Sequence, residues 1–82
     1  MYRVLLKTSA KKDLDTLPVK VRSKVALAID ELSRMGIHAR HVKKLQPPIG
    51  GFRQRVGDYR ILFDHDEELV VIYRISKRAD AY

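Results

Sequence analysis

Three arginines offer most of the chemistry in this sequence. They lie in Phe52-Arg53-Gln54-Arg55-Val56-Gly57-Asp58-Tyr59-Arg60-Ile61-Leu62-Phe63. A guanidinium is always charged and grips phosphate oxygens through paired hydrogen bonds. It does not readily serve as a base. Its natural catalytic role is to stabilise charge on a phosphorane-like transition state. Whether the three act together depends on the faces they occupy.

Their positions follow from the elements around them. Gly57-Asp58 separates two alternating runs and suits a two-residue hairpin loop, because Gly tolerates positive φ. In that register Val56 faces Tyr59, Arg55 faces Arg60 and Phe52 faces Phe63. Strand side chains alternate, so Phe52, Val56, Tyr59, Ile61 and Phe63 share a core face. Arg53, Arg55 and Arg60 share the other. Like charges opposite one another destabilise a sheet. Arg stems covering a solvated sheet would be the plain structural explanation, but three on one face favour an anion site.

The charge of the chain agrees. Seventeen Lys/Arg against ten Asp/Glu give a formal charge of +7 and a pI near 10.0, which suits nucleic acid or an acidic protein surface. Between Arg40 and Arg60 six basic residues (Arg40, Lys43, Lys44, Arg53, Arg55, Arg60) accompany one acid, Asp58. Lys43 and Lys44 are candidates for RNA-backbone contacts, which position without reading sequence; solubilising lysines explain them equally well. Tyr73 would border the basic face, where an aromatic ring can stack on a base.

Other chemistries find little support. There is no Cys, which excludes disulfides, thiolate metal sites and a Cys nucleophile. His38, His41 and His65 show no metal-ligand spacing and read as loop or turn residues. No glycine-rich phosphate loop, carboxylate pair or nucleophile elbow is present. No cofactor or metal is expected. No stretch approaches a membrane span and no signal segment opens the chain, so the expected location is cytoplasmic, without a membrane partner.

With 82 residues the chain is expected to be one domain, residues 1–82, with a single core. Tyr2 to Lys7 reads as a strand. Ser9 is placed to cap a short helix with Ala10, Leu14 and Leu17 on its apolar side. Pro18 separates it from a longer helix, Val19 to Met35, whose Val21, Val25, Ala28/Ile29, Leu32 and Met35 follow the 3.6 period before Gly36. Residues 37–51 read as a connector, pinned by Val42 and Leu45. Strands follow at about 52–56, 59–64 and 69–75. The last is apolar on both faces, as a central strand is. The tail suits one helical turn, with Arg78 and Tyr82 four residues apart on one side. The order β-α-α-β-β-β predicts an α+β fold, with two helices on one face of a four-stranded, mainly antiparallel sheet.

The chain resembles toxins of the RelE/ParE superfamily from type II toxin–antitoxin modules. The resemblance spans nearly the full length. It rests on Ala10-Lys11-Lys12-Asp13-Leu14-Asp15-Thr16-Leu17, Val42-Lys43-Lys44-Leu45, Phe52 to Ile61, and Ile75-Ser76-Lys77-Arg78 followed by Tyr82. It implies a fold shared with small metal-independent ribonucleases, and mRNA cleavage in the ribosomal A site. There the 2′-hydroxyl attacks the adjacent phosphate and leaves a 2′,3′-cyclic phosphate. Carried over by motif, the catalytic residues are Arg53, Arg55, Arg60, Arg78 and Tyr82, with Lys77 beside the RNA. Arg60 would stabilise transition-state charge; Tyr82 would orient a base or assist proton transfer. The implied partners are mRNA, the ribosome and a RelB-like acidic antitoxin.

This sequence departs from the RelE pattern. Active members often carry Lys where Arg53 and Arg55 stand, and His where Lys77 stands. Arginine is a poor base, so Lys77, Tyr82 or a ribosomal group would have to accept the proton. Two other readings are a ParE-like DNA gyrase inhibitor and an inactive homologue that binds RNA or an antitoxin.

Overall fold

The computed structural model describes residues 1–46 and 50–77. Strand β1 (Arg3–Leu6) leads into helices α1 (Thr8–Thr16) and α2 (Val19–Met35). A 3-10 turn (Gly36–His38) precedes β2 (Val42–Lys44), β3 (Phe52–Val56), β4 (Tyr59–His65) and β5 (Leu69–Lys77). The strands lie in the order β1-β5-β4-β3-β2. β1 runs parallel to β5, and the other pairs are antiparallel.

The α+β class agrees with the reading of the sequence, but the sheet has five strands rather than four. Val42–Lys44 pairs with β3. Three residues are too few to show alternation, so a connector and an edge strand look alike in sequence. The hairpin register is as expected: Val56 opposite Tyr59, Arg55 opposite Arg60, Phe52 opposite Phe63. Gly57 opens the turn at φ 59°, the positive value a hairpin turn asks of its first central residue.

Both helices contribute to one core. Ala10 and Leu17 join Val25 and Leu32 against Ile61, Phe63, Val70, Ile72 and Ile75. α2 ends where Gly36 takes φ 58°. A Cβ there would lie 2.7 Å from the Tyr2 ring, so both backbone and space require glycine.

Helix α1 has a second task. β1 stops opposite Ile72 while β5 continues to Lys77, which would leave the outer edge of β5 bare. A bulge sits there, since Leu62 pairs with Arg74 but Phe63 pairs with Ile72. Ser9 and Asp13, one helical turn apart on the same face, stand in for the missing strand. The Ser9 hydroxyl donates to the Tyr73 carbonyl at 2.7 Å. The Asp13 carboxylate accepts the Ile75 N–H at 2.9 Å and Arg74 Nε at 2.9 Å. Ser9 is therefore not the helix cap: Lys7 holds that position, without a side-chain cap. The Asp13–Arg74 pair is partly exposed and worth little by itself. The bond to the part-buried backbone N–H matters more. Asp13→Ala is expected to lower stability by about 1–3 kcal/mol, read as a reduced urea midpoint, with partial recovery in Asp13→Asn. An unchanged midpoint for Asp13→Ala would refute this role.

Candidate phosphate-binding face

Strand register sorts the basic residues by face. The buried residues of β3, β4 and β5 on the core side are Gln54, Ile61, Phe63, Val70, Ile72 and Ile75. Their neighbours face the opposite side, which carries no helix among the described residues. One row there runs Lys43, Arg53, Leu62, Arg74 across four strands. The next runs Arg55, Arg60, Ser76 across three. Arg53 and Arg60 are diagonal neighbours on adjacent strands, with backbones about 7–8 Å apart. Long guanidinium side chains easily converge over that distance on one phosphate or two successive ones. Leu62, buried between them, forms an apolar floor that excludes water and strengthens charge–charge attraction above it.

The sequence-predicted residues separate into three groups. Arg53, Arg60 and Lys43 come together on this face. Arg55 begins on it, but its Nε makes a long hydrogen bond to the Gly57 carbonyl at 3.5 Å. Its exposed side chain lines a groove beside α2. Tyr73 sits at the bulge, at the far end of the face. There a Cβ added to Gly51 would lie 3.2 Å from the Tyr73 hydroxyl and 2.8 Å from Asp64 Oδ1. Lys44 pairs with Phe52 and Lys77 pairs with Tyr59, so register puts both on the core-facing side at strand ends, away from Arg60. Arg78 and Tyr82 lie outside the described residues; of the tail expected to form a helical turn, Ser76 and Lys77 instead extend β5, because each pairs with β4.

Arg40 does not join the face either. Its N–H donates to Glu31 Oε1 at 3.0 Å and its Nε lies 3.5 Å from Glu31 Oε2. Buried Gln54 donates to the same carboxylate at 3.2 Å and to the Arg40 carbonyl at 3.3 Å. This network ties α2 to β3 and holds the basic strand in place. His41 occupies the left-handed region at φ 63°, and its carbonyl accepts the Arg55 N–H at 3.2 Å. It is a turn residue. His65 packs against Tyr2, ring centroids 5.0 Å apart. No group of His, Asp or Glu among the described residues could hold a metal ion. No helix among them is long and apolar enough to cross a membrane.

One residue of this face went unnoticed in the sequence. Ser76 stands opposite Arg60 and is 7% exposed. Strand parity alone could have pointed to it, once the register of β5 was known.

Comparison with known proteins bears on the family and the fold. Residues 4–82 match the family model described as the ParE toxin of the type II toxin–antitoxin system, parDE. Nothing among the curated proteins matches. The fold superposes on the toxin–antitoxin complex RelBE2 from Mycobacterium tuberculosis with a TM-score of 0.81 and 36% identity, covering 94% of this chain and 98% of that one. A RelB–RelE antitoxin–toxin complex from Methanococcus jannaschii gives 0.78 at 25% identity, covering 95% and 94%. The YoeB dimer from Staphylococcus aureus gives 0.75 at 16%, covering 92% and 94%, a likeness of fold alone. With the family model spanning nearly the whole chain and its α+β fold shared by these toxins, the chain belongs to the RelE/ParE superfamily, as a toxin of the type II toxin–antitoxin class.

Proposed function

We propose that this toxin is a ribosome-dependent mRNA endoribonuclease that inhibits translation. The observation that carries the reading is the register that puts Lys43, Arg53 and Arg60 on the sheet face opposite α1 and α2, beside a buried Leu62. In the reaction the 2′-hydroxyl attacks the adjacent phosphorus, the bond to the 5′-oxygen breaks, and a 2′,3′-cyclic phosphate remains. Arg60 stabilises charge on the non-bridging oxygens, while Arg53 and Lys43 hold the flanking backbone. The two arginines cannot readily take the 2′-hydroxyl proton, and register turns Lys77 away. Tyr82 or a ribosomal group is the proton acceptor in this reading, and no metal takes part.

The cell would need to neutralise such a face, and a RelB-like acidic antitoxin suits it. A groove of about 310 Å³ beside α2, with Leu27, Ala28 and Val56 among Lys24, Arg40 and Arg55, offers apolar anchors within a basic rim. Toxin, mRNA and ribosome would meet in the cytoplasm.

The match to the ParE family model favours one second reading, inhibition of DNA gyrase without RNA cleavage. Induced expression decides between them. Endoribonuclease action gives growth arrest with codon-phased mRNA cuts and unaltered supercoiling by purified gyrase. Growth arrest with intact mRNA and inhibited supercoiling would reverse the assignment.

A further inference from the structure

Asp64 is the one acid in the five strands, and the proposed reaction leaves it without a use. Its neighbours Phe63 and His65 turn to the core side, where they pack on Phe52 and Tyr2. Asp64 therefore turns to the basic face, and it is exposed there. It stands four residues beyond Arg60 on β4, about 13 Å along the strand. A carboxylate in that place repels RNA phosphates. It suits bound RNA only where a base, rather than the backbone, comes to rest.

The surroundings of Asp64 fit a base. Tyr73 belongs to β5, yet its hydroxyl lies 3.2 Å from the point where a Cβ on Gly51 would stand, and Asp64 Oδ1 lies 2.8 Å from the same point. Gly51 directly precedes β3, and β4 separates β3 from β5, so the span is two strand spacings, about 10 Å. The Tyr73 side chain thus crosses β4 beside Asp64. Leu62 precedes Asp64 on the same side of β4, and Val71 pairs with it. Ring and aliphatic groups together give a base an apolar surface to lie against, with the carboxylate at its edge. Gly51 keeps that edge open: it takes φ 73°, and a side chain there would also meet the Phe63 carbonyl at 3.0 Å.

The chemistry of the carboxylate selects which base. It accepts hydrogen bonds through two oxygens and donates none. Guanine presents two adjacent donors, N1–H and N2–H, on its Watson–Crick edge. Adenine and cytosine set a ring-nitrogen acceptor beside the amino group, and uracil flanks its single N–H with two carbonyls. Each of these would turn an acceptor toward a carboxylate oxygen. We propose that Asp64 is a specificity-determining residue, which accepts the N1–H and N2–H of a guanine lying against Tyr73, near the phosphate held by Arg53 and Arg60. This rests on the reading of the face as a phosphate site, and deepens it by naming the base that the site takes.

The test uses the full chain, titrated by NMR with 5′-GMP, 5′-IMP, 5′-AMP and inorganic phosphate. Wild type should bind 5′-GMP about tenfold more tightly than 5′-AMP, the discrimination of one good bidentate contact. 5′-IMP, which keeps N1–H and lacks the N2 amino group, should fall between them. Asp64→Asn keeps the shape and offers a single acceptor oxygen. It should bring 5′-GMP within about twofold of 5′-AMP, with binding of inorganic phosphate intact or tighter. Equal binding of 5′-GMP and 5′-AMP by wild type, or binding of neither, would overturn the inference. So would a guanine preference that survives in Asp64→Asn, even with all three nucleotides bound more tightly, because Asp64 would then be a repulsive charge and no reader. Undiminished phosphate binding by Arg60→Ala is a separate result: it would remove the phosphate reading of the face. The two failures are told apart because the ratio of 5′-GMP to 5′-AMP affinity is read independently of inorganic phosphate.

Discussion

Arg60→Ala is expected to lower ribosome-programmed mRNA cleavage by about 10²–10³-fold, the usual loss when a preorganised charge-stabilising donor is removed. Arg60 lies at the centre of the face, diagonal to Arg53 and one strand from Arg55. Its charge acts beside a buried leucine rather than in open water, where electrostatic stabilisation is worth most. Arg60→Lys should recover only part of the rate, since an ammonium keeps the charge and loses the two-pronged geometry. Arg55→Ala should cost less, because the Arg55 side chain turns toward Gly57 and the α2 groove. Single-turnover cleavage of mRNA on programmed ribosomes measures all three. Full activity in Arg60→Ala, with Arg55→Ala inactive, would move the chemistry to the groove side of the hairpin.

The largest effect on stability should come from Phe63. It is fully buried, stands opposite Phe52 in the register and stacks on it with ring centroids 5.7 Å apart. Truncation removes both the ring and the aromatic pair. Phe63→Ala is expected to cost about 3–5 kcal/mol, a large share of the ~5–15 kcal/mol that holds a small domain together. For a chain of this size that corresponds to a fall in Tm of about 15 °C or more. Phe63→Leu keeps most of the volume and should lose far less. Calorimetry on the three proteins tests this. A small fall for Phe63→Ala would mean that the core collapses around the vacancy, and that the hairpin does not depend on this pair.

Wherever a local rule with a fixed period applied, the sequence was readable. The 3.6 period and Gly36 delimit α2, and Gly57-Asp58 sets a register that assigns every residue from Phe52 to Phe63 to a face. The arginine face is a local consequence of that register and needs no other part of the fold. Where a position depended on a distant partner, the reading stopped short. β2 is recognisable only by its pairing with β3. Ser9 and Asp13 belong to the edge of β5, sixty or more residues away, so Ser9 passed for a cap.

By itself, then, the sequence determined the two helices, the hairpin and the side of it that the arginines share, because helical period, strand alternation and turn chemistry are set by neighbours in the chain. Tertiary structure decided which cations share that face. It admitted Lys43 and excluded Lys44 and Lys77, since a single step of register turns a side chain to the other side of a sheet. It also placed Ser76 opposite Arg60, a pairing created by two strands and a bulge and by nothing local to either residue.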